Sequence, residues 1–146
     1  NCSWSTGGTG NVTWQNNIGS VHSDTAIAAA SSWASYTDVN DMSPSGGTMV
    51  ATAPNDGPNG YHGWTSWNCG TGNRTWSASV TVNRHYVDDF FNNKVKAIWV
   101  HEFGHALGLN HSVEGTIMFS CAACSFNDYQ LWWPAPDDVA GINALY

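Results

Sequence analysis

The stretch His101-Glu102-Phe103-Gly104-His105-Ala106-Leu107-Gly108-Leu109-Asn110-His111 sets histidines, a glutamate and glycines at intervals that could do chemistry. His101 and His105 stand four apart, slightly more than one helical turn, so on a helix both imidazoles leave the same face. Two neutral imidazoles in that arrangement bind one zinc ion. Glu102 is displaced around the helix from the first ligand. It reaches water at the metal without being a ligand, which is the place of a general base. A third ligand must curl back to the same ion, so the helix has to end. Gly108 is suited to end it, because glycine takes a positive φ at no steric cost. His111 then returns as the third imidazole. Three histidines and one open position describe a catalytic zinc site; a structural site would be closed by a fourth protein ligand. The short pattern HExxH is weak, and a histidine pair on a helix is often ordinary core. The longer HExxHxxGxxH gives each part its own mechanical role, and a metal site is the expected reading.

These residues need elements to hold them. A helix from about Asn93 to Leu107 would carry the first two histidines, with Val95, Ile98 and Trp99 as its apolar face. An earlier helix is expected after Ser23-Asp24, over Ala26 to Ala34, with Ile27, Ala30 and Ala34 on one side. A last helix begins near Pro136, along which Val139, Ile142 and Leu145 repeat. Strands are expected around Asn11 to Trp14, Thr48 to Ala53 and Tyr61 to Trp67, with the dense turn signal Pro54 to Gly60 between the last two. Trp76, Ala78, Val80 and Val82 alternate with polar residues and make the clearest strand. The order gives an α+β domain with a mostly N-terminal sheet, or a sheet flanked by helices.

The 146 residues suit one domain, and a hydrophobic content of 42% suits a globular one. No apolar run approaches the ~20 residues of a membrane-spanning helix, so a soluble protein is expected. Charged residues make up only 10%, and Arg74, Arg84, Lys94 and Lys96 are the basic ones, leaving a net charge of −7. That balance excludes nucleic acid and anionic membrane as expected partners. Nine tryptophans are many for this length; some must be core and some could line a groove. Cys2, Cys69, Cys121 and Cys124 suggest disulfides and an oxidising compartment. Three pairings are open, and Cys2–Cys69 with Cys121–Cys124 is favoured. A start at Asn1 fits a mature form after export, or a trimmed chain. Asn11-Val12-Thr13 and Asn73-Arg74-Thr75 match the N-glycosylation pattern, which has meaning only in a glycosylating host. His22, His62 and His85 read as surface or satisfied polar residues.

The eleven-residue run resembles the zinc signature of the metzincin clan. Extended to HEFGHALGLNHS, it is similar to the matrixins, the matrix metalloproteinase family. Gly115-Thr116-Ile117-Met118-Phe119 resembles the clan's Met-turn, and Asp137 to Tyr146 resembles the matrixin final helix. The resemblance implies a twisted mixed β-sheet with two long helices plus a C-terminal helix. It implies one domain over 1–146, with the active-site cleft between an upper subdomain of about 1–108 and a lower one of about 109–146. It carries to Met118 the role of an apolar floor beneath the three histidines. It suggests that one of Asp137 and Asp138 holds the freed N-terminal ammonium, with Asn1 pairing Asp137, and that the other braces the Met-turn. The chain also departs from the family. The Pro-x-Tyr wall after the Met-turn is replaced by Phe119-Ser120-Cys121-Ala122-Ala123-Cys124. Ser120 stands where some metzincins have a tyrosine ligand, so no such ligand is expected. Asp56-Gly57-Pro58 and His62 match only part of the region that holds a second zinc in matrixins, so a second zinc is not expected, while calcium stays open. The matrixin cysteine latency motif is absent, and Cys2 lacks its neighbours.

The expected function is that of a secreted, extracellular zinc endopeptidase. His101, His105 and His111 hold one zinc, and Glu102 acts as the base in metal-assisted hydrolysis of peptide bonds. A monomer is expected, with protein or peptide substrates and an inhibitory propeptide before maturation. A local Cys121–Cys124 disulfide after the Met-turn would stiffen the loop that shapes the pocket for the residue after the cleaved bond. Two rival readings are a non-catalytic, Trp-rich module binding a protein or glycan on the same fold, against which an intact Glu102 weighs, and an amidase or other hydrolase using the same zinc chemistry.

Overall fold

The sheet is organised around its longest strand. In the computed structural model, which describes residues 2–19 and 21–146, the strands are β1 (Ser3–Trp4), β2 (Trp14–Asn17), β3 (Met49–Thr52), β4 (Gly63–Cys69) and β5 (Arg74–Val82). β5 takes β3 in parallel along one side, with Met49 opposite Ala78, and β4 antiparallel along the other, with Thr65 opposite Val80. β2 continues the parallel side beyond β3, and β1 pairs in parallel with the start of β5. β4 is therefore an edge strand among the described residues, β2 being the edge on the opposite side, and the sheet is mixed and mostly parallel.

The helices are α1 (Ser23–Tyr36), α2 (Arg84–Val87), α3 (Asn92–Leu107), α4 (Ala122–Tyr129) and α5 (Pro136–Asn143). α1 and α3 pack against each other, and Trp33 Nε1 of α1 donates to Val100 O of α3 at 3.0 Å. The core lies between these helices and the sheet. It joins Ala26, Ala30 and Trp33 of α1 and Val95, Ile98 and Phe103 of α3 to Trp14, Met49, Ala51 and Val80 of the strands. Trp14 and Phe103 meet with ring centroids 5.1 Å apart, both fully buried. Truncating either would cost about 3–5 kcal/mol, so this contact fixes α3 firmly on the sheet.

Several expectations shift. The strand expected at Asn11 to Trp14 begins instead at Trp14, and Asn11 makes only an isolated bridge to Asp41. Polar Gln15, Asn16 and Asn17 become strand because β3 offers a partner, a tertiary effect that outweighs their propensity. α2 and α4 were not expected. α4 replaces the loop expected after the Met-turn, with Cys121 as its N-cap. Leu145 falls beyond the last helix and is exposed. The cysteines pair as Cys2–Cys69, which ties β1 to the end of β4, and Cys121–Cys124. No helix among the described residues is long and apolar enough to cross a membrane.

Candidate metal centre

The last two turns of α3 carry His101, Glu102 and His105. The helix stops at Gly108, whose φ of 115° lies in the left-handed region. Its N–H returns to Gly104 O and His105 O, and Leu109 N donates to Gly104 O at 3.0 Å. A Cβ at this position would stand 2.7 Å from Cys2 O, so backbone conformation and space both demand glycine. The chain then reverses and brings His111 back beside the helix.

The imidazoles are oriented by main-chain carbonyls. His101 Nδ1 lies 2.7 Å from Ile117 O, and His105 Nδ1 lies 2.8 Å from Leu109 O. A carbonyl only accepts, so each Nδ1 carries the hydrogen and each Nε2 presents a lone pair. These two Nε2 atoms face each other at 3.1 Å. Two lone pairs at that distance repel unless a cation lies between them. His111 completes the cluster, its ring centroid 5.3 Å from His101 and 4.7 Å from His105. One nitrogen from each of the three lies within 4.8 Å of the others. Burial, helped by the neighbouring imidazoles, holds His101 well below its usual range, down to about 3. Burial lowers His105 as well. Neutral imidazole is the form that ligates a metal, so the donor set fits a zinc ion.

Glu102 is 5% exposed and opens onto the same cleft, of about 590 Å³. Burial pushes its carboxyl up to about 7, while a hydrogen bond from Thr65 works in the opposite direction. The cleft is further walled by Tyr61, Trp64 and Trp67 on the β4 side and by Ser120, Cys121 and Ala122 at the start of α4. Met118 is buried, with its thioether against Gly104 of α3. Asp138 is buried too. Its carboxylate accepts N–H groups from Ile117 at 2.9 Å, Met118 at 3.2 Å and Ala135 at 2.8 Å. Asp137 accepts from Ser112 Oγ at 2.7 Å. The expected partner of Asp137, Asn1, lies outside the described residues.

The sequence match to the matrixin family runs over residues 11–146, so the chain belongs to that family, one of zinc metallopeptidases. Among curated proteins, it is 48% identical to mouse matrilysin over 48 residues, which is 32% of this chain and 17% of that protein. It is 40% identical to rabbit interstitial collagenase over 62 residues, 42% of this chain and 12% of that protein. The matched stretches thus span a small part of those relatives.

The structure brings His101, His105, His111 and Glu102 together, places Met118 against the same helix and sets Asp138 behind the turn. His22 instead pairs with Asp88 at 2.7 Å, away from the cluster. His62 lines the cleft. Sequence reasoning missed Gly63, Thr65 and Trp67, which face Glu102 and His105 from β4. The available signal was their alternation within a segment already read as a strand.

Proposed function

We propose that this chain is the catalytic domain of a secreted zinc endopeptidase that cleaves peptide bonds in protein substrates. One observation carries the reading: two neutral imidazoles facing each other through Nε2 at 3.1 Å, with a buried carboxylate beside them in an open cleft. His101, His105 and His111 would hold the zinc. When bound, it supplies a Lewis acid that polarises a peptide carbonyl and brings the pKa of water toward ~7. Glu102 takes a proton from the attacking water and returns it to the leaving amine. The free edge of β4 borders the cleft and offers unpaired main-chain groups to an extended peptide. Residues of about 1–108 then form the upper wall and residues of about 109–146 the floor. A monomer and an inhibitory propeptide complete the reading.

The test is an unbiased peptide-cleavage profile with chelator and zinc add-back, run beside Glu102→Ala. The expected result is chelator-sensitive cleavage in the parent, with normal zinc content and a loss on the order of 10²–10⁴-fold in the variant. Undiminished turnover by clean Glu102→Ala would overturn the assignment.

A further inference from the structure

We propose that Thr65 positions the Glu102 carboxylate for proton transfer; this rests on the reading of Glu102 as the base. Thr65 Oγ1 lies 2.8 Å from Glu102 Oε2 and 2.9 Å from the Glu102 carbonyl oxygen. A hydroxyl has one hydrogen to give and lone pairs to receive. While Glu102 is ionised, the Thr65 hydroxyl donates to Oε2. A carboxylate has further lone pairs, so a proton can arrive from the water side and leave again while the threonine bond stays in place. The Thr65 bond thus holds the orientation of the carboxylate through the transfer, without moving a heavy atom. A base that takes and returns a proton in each turnover therefore has the same seat in both states, and little reorganisation is needed at the moment of transfer.

The strand supplies the rest of that seat. Gly63 lies two residues earlier on the same face of β4. A Cβ there would stand 2.9 Å from both Glu102 Cγ and Oε1, so the side of the carboxylate away from Thr65 is bounded by bare backbone. Two residues after Thr65, Trp67 stacks over His105, with centroids 6.4 Å apart and planes at 21°. One strand face, Gly63-Thr65-Trp67, thus fits one helix face, Glu102 and His105. Threonine's β-branch restricts its χ1 and holds the hydroxyl in place.

Thr65→Val keeps the shape and removes the hydroxyl, Thr65→Ser keeps the hydroxyl, and Thr65→Ala is a second deletion should valine disturb the strand. Each is compared with the parent and with Glu102→Gln on a fluorogenic peptide taken from the parent's cleavage profile, alongside zinc content and melting temperature. Thr65→Val and Thr65→Ala are expected to lower kcat by roughly 10–100-fold, the worth of one hydrogen bond to a charged group, with KM within about twofold and zinc content unchanged. Thr65→Ser recovers most of kcat. Parent-like kcat in Thr65→Val, an equal loss in Thr65→Ser, or a loss carried by zinc content would overturn the positioning role. Glu102→Gln separates the two levels. If it is inactive while Thr65→Val is active, only the positioning role fails; if it is active, the base assignment fails and the positioning role with it.

Discussion

His101 and Asp138 hold the same residue from its two sides. Ile117 accepts the His101 Nδ1–H through its carbonyl at 2.7 Å and gives its own N–H to Asp138 Oδ2 at 2.9 Å. Asp138 also receives Met118 and Ala135, so one buried carboxylate satisfies three main-chain donors and fixes the carbonyl that orients a candidate ligand. Asp138→Ala orphans those donors at about 1–3 kcal/mol each, so a loss of at least about 3 kcal/mol is expected in urea unfolding. Asp138→Asn, which keeps one acceptor oxygen, should lose less. Folded Asp138→Asn should bind zinc about 10–100-fold more weakly, since the orientation of His101 depends on that turn. Competitive titration against a zinc chelator measures this, and unchanged affinity would remove Asp138 from any account of the site.

His111 differs from the other two imidazoles in being exposed. Its removal leaves no buried group unpaired in the core, so His111→Ala should change the stability of the zinc-free protein by no more than about 0.5 kcal/mol. Its effect should appear only with the metal. In the parent, zinc at 100 times its dissociation constant stabilises the fold by about 2.7 kcal/mol. In His111→Ala the same zinc concentration should raise the melting temperature much less. Melting curves with and without zinc decide it, and an equal rise in both proteins would exclude His111 as a ligand.

The parts of this centre that could be read from sequence are those in which neighbours along the chain are neighbours in space. His101, Glu102 and His105 share one helix, and Gly108 ends it. The helix was expected over 93–107 and runs Asn92–Leu107. The strand expected over Thr48 to Ala53 is Met49–Thr52, because β-branched and apolar residues alternate there. Three kinds of feature were hidden. The Thr65–Glu102 bond joins distant segments, and no local pattern marks which strand face will meet which helix. β2 is polar, and its existence depends on pairing with β3. α4 is short and mixed in character, and its Cys121–Cys124 pair reads equally well as a loop staple; its helix is set by packing on α3 and by the Cys121 cap.

The two disulfides should separate stability from specificity. Cys2–Cys69 spans a sequence separation of 67 and Cys121–Cys124 one of 3. On chain entropy alone they constrain the unfolded chain by about 4 and about 2 kcal/mol respectively. Cys2→Ser/Cys69→Ser should therefore lower the unfolding midpoint more; at the buried Cys2 position, where Thr75 Oγ1 donates to the sulfur at 3.2 Å, a serine hydroxyl keeps a polar partner, so the lost crosslink is the main change. Cys121 lines the cleft with Ser120 and Ala122, so Cys121→Ser/Cys124→Ser should cost less stability and change the residues accepted around the cleaved bond. A cleavage profile of that double variant identical to the parent's would refute the specificity role of the short disulfide.

Tyr146 closes the far end of α3. Its hydroxyl donates to Leu107 O at 2.9 Å and accepts from Trp4 N at 3.1 Å, while Trp4 Nε1 donates to Ala106 O at 2.8 Å. Burial pushes the phenol up to about 12, against about 10 when unfolded. The folded form then holds its proton over a pH range in which the unfolded form has lost it. The stability contributed by this group is complete below pH ~10 and is lost as pH rises from there toward 12, by up to about 1.4 kcal/mol per pH unit. Tyr146→Phe should be less stable than the parent at pH 8, since Trp4 N and Leu107 O lose their partner. The difference should shrink as pH is raised through 10 and 11, because only the parent has this phenol to ionise. Urea unfolding of both proteins across that range gives the comparison directly, and a gap that stays constant with pH would show that the hydroxyl is not held neutral by its burial.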